Sequence, residues 1–352
     1  MIDWSDSMDQ TFEYYIVDPN TWKDRTQLKN VKSCTITRDS DTETLGSATI
    51  DIEESIDECY VRVYLIARQN GVREKRPLGT FLVQTPSSSF DGKVHSMSVD
   101  AYTPLIELKE TMPPIGYSIL KGENIMDIAG MLVRENVRAP VVASKSTKDL
   151  YYDFVANTSD TWLSYLTDLI SNAKYTFDLD EMGRIMFSQK RELASLQPVW
   201  TYSDDNSSIL LPEISIDRDI YGIPNVVEVV YSNSNEIYRH VVKNTDPNSP
   251  TSIVNRGREI MYRETNPDLI GDPTADQIKE HAESLLRSLS TLKCTVKYTH
   301  AYCPTRVGDC VRLNYTAAGI NNVKGKIINQ SIKCALGCQV TETAVFDTKL
   351  WG

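Results

Sequence analysis

Residues 78–83 read Leu-Gly-Thr-Phe-Leu-Val, residues 95–101 read His-Ser-Met-Ser-Val-Asp-Ala, and residues 90–93 between them read Phe-Asp-Gly-Lys. Apolar and polar side chains alternate in the two longer runs, which is typical of strands that bury one face. An Asp-Gly pair between two such runs is a strong hairpin signal. The stretch therefore predicts a β-hairpin and sets the fold class of the region around it.

The same alternation extends toward the N-terminus of the hairpin, in residues 31–37, 47–52 and 61–68. Polar or Gly-containing turns separate these runs, as at Leu45-Gly46 and Gln69-Asn70-Gly71. Five or more short strands with regular turns are typical of a small barrel or sandwich. Residues 1–112 are therefore predicted to form a first β-domain.

The pattern changes after Pro113-Pro114, and residues 113–204 are predicted to form a small α+β insert. Residues 122–137 show the apolar spacing of one buried helical face. A second helix is predicted behind Ser159 as N-cap, ending near Ala173. The runs 175–180 and 184–188 then predict a hairpin of short strands.

Strands return from about residue 205 to the C-terminus, and this region is predicted to be a second β-domain, residues 205–352. Thr274 and Gln277 make a capping box at the start of one long helix with a narrow apolar face. A Ser/Asn turn is predicted between residues 231 and 237. The predicted strands are 210–216, 226–231, 237–242, 293–298, 310–314, 326–333 and 339–345. The fold class is therefore α+β, with two antiparallel β-domains flanking the insert.

The chain has 352 residues, enough for two or three domains, and a net charge of −11 from 37 basic and 48 acidic residues. No apolar run approaches the roughly 18 residues of a membrane-spanning helix, and the N-terminus lacks the pattern of a secretory signal. The charge disfavours tight binding of nucleic acid, because like charges repel. An acidic surface could equally serve solubility or line a channel through which DNA slides without being held.

Seven cysteines without an export signal favour reduced thiols over a disulfide framework. Five lie in the last sixty residues, at spacings that contain no CxxC pair, so buried small apolar side chains are favoured over a zinc site. These five are Cys294, Cys303, Cys310, Cys334 and Cys338.

Residues suited to catalysis do not form a recognised motif. His95 and His240 fall in strand patterns, His281 on the polar flank of the capped helix, and His300 after a strand, so each is interpreted as structural or solvated. Asp178 and Asp180 would share one face of a strand but are interpreted as solvated beside a turn, rather than as a glycosidase pair. The adjacent acids of the other two dense pairs, Glu53-Glu54 and Asp204-Asp205, would point to opposite faces of a strand. Eighteen tyrosines suit a carbohydrate cleft and a subunit interface equally well. We therefore assign no catalytic, cofactor-binding or metal-binding residues and expect no enzymatic activity and no cofactor.

Residues 76–83, with the hairpin and residues 97–105 that follow, resemble a stretch of the baseplate and tail hub proteins of tailed bacteriophages and related contractile injection systems. The middle of the chain is similar at residues 122–125, 159–166 and 177–185. Near the end, Arg306-Val307-Gly308-Asp309 is similar to the family's turn into a strand, with Val307 in place of the usual proline.

The resemblance implies a ring of three chains, each with two tube-like antiparallel β-barrel domains, so that six similar units face a sixfold tail tube. The implied partners are further copies of the chain in a homotrimer, the tail tube or distal tail protein, a central spike or tail fibre protein, and the tape measure protein. DNA would pass through without specific binding, no membrane span is expected, and the place would be the tail baseplate of a virion, assembled in the bacterial cytoplasm.

Two alternatives remain open. A tail-tip cell-wall hydrolase would need a peptidase or lysozyme module, for which the chain is expected to leave no room after its last strand. A distal-tail adaptor with carbohydrate binding would form rings of six subunits rather than three.

Overall fold

The structure is a computed structural model that describes residues 2–90, 92, 95–205, 208–218, 220–232, 236–267 and 273–351. Asp91 and Lys93 of the first predicted turn lie outside the described residues, as do residues 233–235 of the Ser/Asn turn. The chain divides into two compact units. Unit 1 is Met1–Ile214 with Tyr298–Ala344, and unit 2 is Ser215–Lys297 with Val345–Gly352. The three-domain division at residues 112 and 204 stays a prediction.

Unit 1 is built mainly from antiparallel strands that alternate buried and exposed side chains. Its N-terminal strands are β1 (Asp9–Val17), β2 (Asp24–Leu28), β3 (Val31–Asp39), β4 (Gly46–Ile52), β5 (Tyr60–Gln69), β6 (Val72–Phe90) and β7 (His95–Tyr102). The predicted runs are confirmed as β3 to β7, and β6 is much longer than the predicted run. Alternation did not predict β1, where tyrosines and acids blur the contrast between the two faces, or β2, which has a single apolar residue.

Later segments of the chain complete the sheet of unit 1. These are β12 (Pro198–Ser203), β18 (Cys310–Tyr315), β19 (Ile320–Lys333) and the unit 1 residues of β13 (Leu210–Arg218), β17 (Thr291–Ala301) and β20 (Gln339–Lys349). The strand order is β13-β17-β20-β19-β3-β4-β7-β6-β5-β1-β2, and β12 pairs in parallel with β18, which pairs with β19. Antiparallel pairing of β19 with β3 therefore joins the N-terminal and C-terminal β regions in one sheet.

The fold class is mainly antiparallel β with few helices. Among the described strands the sheet follows an open path from β13 to β2 and closes into no barrel, so the expected pair of barrels is not confirmed.

The segment predicted as an α+β insert contains the main helices of unit 1. They are α1 (Ile106–Glu110), α2 (Ile125–Asn136) and α3 (Trp162–Ser171), accompanied by the strand pairs β8 (Ser118–Ile119) with β9 (Phe154–Val155) and β10 (Tyr175–Leu179) with β11 (Ile185–Gln189). Apolar faces of α2 and α3 share one buried core with the β10–β11 pair. The predicted helices and hairpin are thus confirmed.

The N-cap of α3 is Thr161, so the prediction of Ser159 is wrong by two residues. The Thr161 hydroxyl accepts a hydrogen bond from the Ser164 main-chain N–H at 3.2 Å, and the Ser164 hydroxyl oxygen accepts from the Thr161 N–H at 3.0 Å. Asp160 accepts the Asn157 N–H at 2.7 Å and stabilises a preceding turn. That turn delays the start of the helix.

Unit 2 contains a three-stranded sheet in the order β15 (Ile237–Lys243), β14 (Val226–Ser232), β16 (Met261–Thr265). Its helices are the short α4 (Ile253–Arg256) and the long α5 (Ala275–Leu289), which begins at the predicted capping box of Thr274 and Gln277. Side chains of β14 and α5 form its core: Val227, Val229, Ile278, Ala282 and Leu286. Sequence patterns missed β16, because its parallel pairing with β14 leaves no local hairpin signal.

No helix in the described ranges is long and apolar enough to cross a membrane.

Candidate functional site

A cleft of about 1120 Å³ opens in unit 1 between β3, β6, the β10–β11 pair and the loop that precedes β18. Glu181, in the turn of the β10–β11 pair, lies between two arginines on its wall. Arg306 Nε is 2.9 Å from Glu181 Oε1, and Arg38 Nη2 is 3.7 Å from the same oxygen. Arg38 also donates to the Leu78 carbonyl at 2.7 Å. The cleft wall is therefore an ion-pair network that joins three distant segments of the chain.

A close approach at Gly183 fixes the turn that carries Glu181. Gly183 has φ +75°, in the left-handed region, and a Cβ there would lie 2.7 Å from the Thr80 Cβ. The neighbouring Met182 carbonyl accepts hydrogen bonds from the Trp22 indole at 2.7 Å and from the Arg62 guanidinium at 3.1 Å. Only glycine fits this contact without strain, so the β10–β11 turn has a defined position against β6.

The carboxylates weighed as catalytic candidates are occupied by other contacts. Asp178 accepts the Ser188 hydroxyl at 2.6 Å and lies 3.6 Å from Arg306. Asp180 is bound by the Arg184 side chain at 2.5 Å, with 11% of its own side chain exposed, so its interpretation as solvated is wrong. This ion pair spans the β10–β11 turn, from Asp180 to Arg184.

The other two carboxylate pairs also have structural contacts. Glu53 pairs with Lys32 at 3.0 Å. Asp204 accepts the Ala317 main-chain N–H at 3.3 Å. Asp178 and Asp180 line the cleft, whereas Glu53 and Asp204 do not. The structure therefore does not gather the three pairs into one site.

The most concentrated polar chemistry of unit 1 lies in its interior, around Glu342 of β20. Glu342 Oε1 accepts hydrogen bonds from Gln330 at 2.6 Å and Thr305 at 2.7 Å, and Oε2 accepts from Tyr298 at 2.6 Å. We call the group the Glu342 cluster; its members are Tyr202, Tyr298, His300, Cys303, Thr305, Gln330 and Glu342. Each member is buried.

His300 belongs to this cluster, so its expected position after a strand is wrong. It lies inside β17, and its Nε2 is 3.4 Å from Glu342 Oε1 and 3.1 Å from the Tyr202 hydroxyl. Burial opposes a charge on His300, but hydrogen bonds and charge interactions with Cys303 and Glu342 outweigh it and raise its pKa to about 10. Burial likewise opposes ionisation of Glu342, yet His300, Tyr298 and Gln330 lower the pKa of its carboxyl. The two form a buried ion pair.

The Glu342 cluster connects strands rather than facing a substrate. Tyr202 comes from β12, His300 from β17, Gln330 from β19 and Glu342 from β20. Gln330 extends the network to the cleft, since its side-chain oxygen accepts a hydrogen bond from Arg38 at 3.1 Å. Full burial excludes a bound substrate from His300, while satisfied hydrogen bonds make the cluster a rigid connection between the strands.

The remaining histidines lie where the patterns placed them. His95 is in β7, His240 in β15, and His281 on α5, where its Nε2 is 2.7 Å from Glu264 of β16.

The five C-terminal cysteines do not meet in one place. Cys294 contacts Thr348, Cys303 contacts Tyr202, and Cys334 lies beside Cys34 and Cys338. In the part of the chain that the structure describes, no group of three His, Cys, Asp or Glu side chains is arranged to hold a metal ion. All seven thiols are free.

Large apolar and aromatic side chains are exposed in the segment between α1 and α3. Six large side chains there are more than half exposed, up to 91% for Ile115: Met112, Ile115, Leu120, Tyr151, Tyr152 and Val155. Val155 lies in β9 opposite Ser118 of β8, Leu120 follows β8 directly, and the Tyr151 and Tyr152 ring centroids are 4.8 Å apart. We call this the insert surface. Concentrations of exposed apolar and aromatic side chains mark interaction sites.

Sequence reasoning missed the cleft network, the Glu342 cluster and the insert surface. A signal for the cluster existed, because His300 and Glu342 occupy positions in β17 and β20 whose neighbours two residues away are buried. A charged residue at an inward strand position predicts a buried partner.

No protein-family model matches the chain, and no curated protein is similar to it in sequence. Among solved structures it is similar to the tail protein from Neisseria meningitidis MC58, with a TM-score of 0.62 and 12% identity over 97% of this chain and 98% of that chain. It is also similar to the 43 kDa tail protein of prophage MuSo2 from Shewanella oneidensis, with a TM-score of 0.60 and 11% identity over 95% and 97% of the two chains.

A third similar structure is the Francisella PdpA-VgrG complex, with a TM-score of 0.57 and 8% identity over 97% of this chain and 53% of that chain. The chain therefore shares its fold with these two tail proteins and with a chain of the Francisella PdpA-VgrG complex. The resemblance to tail proteins, drawn from short motifs, is confirmed at the level of the fold.

Proposed function

We propose that the chain is a structural hub protein in the tail baseplate of a bacteriophage, or of a related contractile injection machine. The observation that carries this proposal is the similarity of fold to two tail proteins over at least 95% of each chain. A likeness from end to end favours a role that uses the whole chain, since a shared module would match only part of it.

We further propose that the chain is not an enzyme. Asp178 and Asp180 are engaged by arginines, and His300 is enclosed in the Glu342 cluster. A general acid or base must reach a proton on a bound substrate. Because ion pairs and burial already engage these groups, we assign them a structural role.

In the proposed assembly three copies of the chain form a ring between the sixfold tail tube and a threefold spike or tail fibre. Each chain would contribute two β regions, 1–112 and 205–352, so that the three chains together present six similar units to the tube, with residues 113–204 as the insert. Partners would be the tube or distal tail protein, the spike or fibre protein and the tape measure protein. The virion tail is the proposed location, after assembly in the bacterial cytoplasm.

We assign the insert surface to contact between neighbouring copies. Its six side chains are apolar or aromatic and offer no net charge for a charged partner to complement. Their exposed area is on the scale of the roughly 800 Å² per partner that a specific interface buries. Tyrosines suit such a place because they bury area and keep a polar tip.

The proposed channel carries DNA without binding it. With a net charge of −11, the chain repels a phosphate backbone, so DNA would slide past an acidic channel wall.

Subunit counting tests the proposal. Mass photometry of the full chain, alone and with its tail tube protein, is expected to give a trimer, and electron-microscopy class averages along the axis are expected to show threefold symmetry. Monomers in both samples would overturn the proposal that the chain is a hub protein. Sixfold rings would identify a distal-tail adaptor instead, and cleared zones in peptidoglycan zymography would identify a cell-wall hydrolase.

A further inference from the structure

Cys34 and Cys334 lie directly opposite each other at the end of the β3–β19 pairing. The register pairs Thr35 with Lys333, and the Cys334 main-chain N–H donates to the Cys34 carbonyl at 2.9 Å. Opposed residues that are joined by such a bond in antiparallel strands have Cα atoms about 5.5 Å apart. Disulfides have Cα separations of about 4.4 to 6.8 Å, so this register is compatible with a disulfide.

The side chains of the two cysteines also meet. The Cys34 and Cys334 side chains lie near enough to each other to interact electrostatically, and the Tyr14 side chain of β1 is a further neighbour of Cys34. Cys338 lies beside Cys334 and is a competing third thiol. The other four cysteines have different neighbours; for example, Cys59 lies by Asp57 and Glu58, and Cys294 by Thr348.

We propose that Cys34 and Cys334 are a redox pair that closes into a cross-strand disulfide when the chain meets a low-molecular-weight disulfide. This inference is independent of the proposed function, because it concerns thiol chemistry within one chain. The bond would tie β3 to β19 and close a loop of about 300 residues, which restricts the unfolded chain.

The reaction is thiol–disulfide exchange in two steps. The Cys334 sulfur, after losing its proton to solvent, attacks one sulfur of the reagent and releases one reagent thiol. The Cys34 sulfur then loses its proton, attacks the Cys334 sulfur and releases the second reagent thiol. Two protein thiols are oxidised, and one reagent disulfide is reduced to two thiols.

Access to Cys334 comes from the turn between β19 and β20. Cys334 is 7% exposed, Cys34 3% and Cys338 fully buried. Leu336, two residues after Cys334, is 92% exposed at the tip of this turn. The neighbouring Cys34 thiol and burial both raise the pKa of Cys334, which keeps the thiolate scarce, so we expect slow exchange that depends on opening of the turn.

The test is oxidation of the full wild-type chain with excess oxidised glutathione, both at room temperature and just below the melting temperature, followed by alkylation, trypsin digestion and mass spectrometry. Cys34 falls in tryptic peptide 33–38, while Cys334 and Cys338 share peptide 334–349. Fragmentation between residues 334 and 338 identifies the bonded sulfur. We expect loss of two of the seven thiols and a link from Cys34 to Cys334.

Matched variants complete the test. Cys338→Ser should form the same link, and Cys334→Ser should not. The proposal is overturned by a link through Cys338 in the wild-type chain, by glutathione adducts without an internal bond, or by seven free thiols at both temperatures.

Discussion

Arg62 donates a hydrogen bond to the main-chain oxygen of Met182 across 3.1 Å, although the two residues are 120 positions apart in the chain. Arg62 is 1% exposed, and its other donors reach Thr80 at 2.9 Å and Asp24 at 2.7 Å. One buried guanidinium therefore holds the β10–β11 turn, and with it the wall of the cleft, against the N-terminal strands.

Replacing this guanidinium should destabilise unit 1. Arg62→Met keeps much of the side-chain volume but leaves Asp24 without its cation and the Met182 carbonyl with one donor fewer. Breaking a buried pair by removing one partner typically costs about 3 kcal/mol or more. We expect a loss of about 3 kcal/mol in the free energy of unfolding, measured by urea denaturation.

Arg73→Met is the matched control. Arg73 pairs with Glu13 at 3.1 Å, but half of its side chain is exposed. Exposed pairs contribute about 1 kcal/mol or less, so this variant should stay close to the wild-type chain. Equal losses in the two variants would contradict the assigned role of Arg62.

Because Gly183 lies so close to Thr80, we expect Gly183→Ala to lower the free energy of unfolding by more than backbone strain alone would. Gly183→Ala adds a methyl group 2.7 Å from the Thr80 Cβ and 3.2 Å from the Trp22 ring, in a left-handed residue. Strain and displacement together should cost about 3 kcal/mol. Gly122→Ala is the control, because Gly122 has φ +87° with no neighbour within 4 Å, so strain of about 1 kcal/mol is expected. Thermal unfolding curves that coincide for the two variants would exclude the steric contribution.

Local sequence signals predicted the elements whose partners are local. Alternation located β3 to β7, and the capping box at Thr274 located α5. The parallel strands β12 and β16 have distant or non-hairpin partners, so alternation alone gave no reason to place them.

The candidate site depends on long-range register. Glu342 meets His300, 42 positions earlier, and Arg306 meets Glu181 across 125 positions. The first pair forms because β17 and β20 are neighbours in the sheet, and the second joins the β10–β11 turn to the loop before β18; no single segment encodes either relationship. The motif resemblance indicated the likeness to tail proteins, but it gave neither the open sheet nor any of these contacts.

The buried ion pair predicts a pH-dependent stability. An unfolded histidine loses its proton near pH 6.5, whereas interactions with Cys303 and Glu342 overcome burial and raise the pKa of folded His300 to about 10. Stabilisation by the protonated ring is therefore complete below pH 6.5 and is lost as pH rises to about 10. One titrating group changes the free energy by at most about 1.4 kcal/mol per pH unit.

Comparison with His300→Gln isolates this contribution from other groups that titrate in the same range. The difference in unfolding free energy between the wild-type chain and the variant should be largest at pH 6.5 and shrink steadily toward pH 10. A difference that stays constant across that range, measured by urea denaturation at each pH, would mean that His300 is neutral in the folded protein.

The insert surface predicts where assembly can be broken without unfolding the chain. Leu120→Asp places a charge on an outward residue that is 64% exposed, so folding should change by less than about 0.5 kcal/mol. If neighbouring copies cover this surface, burying the new carboxylate is costly, and mass photometry should show monomers in place of trimers. Leu336→Asp makes the same change at a residue 92% exposed in the β19–β20 turn and should leave the trimer intact. If trimers persist in Leu120→Asp, the contact between subunits does not lie on the insert surface.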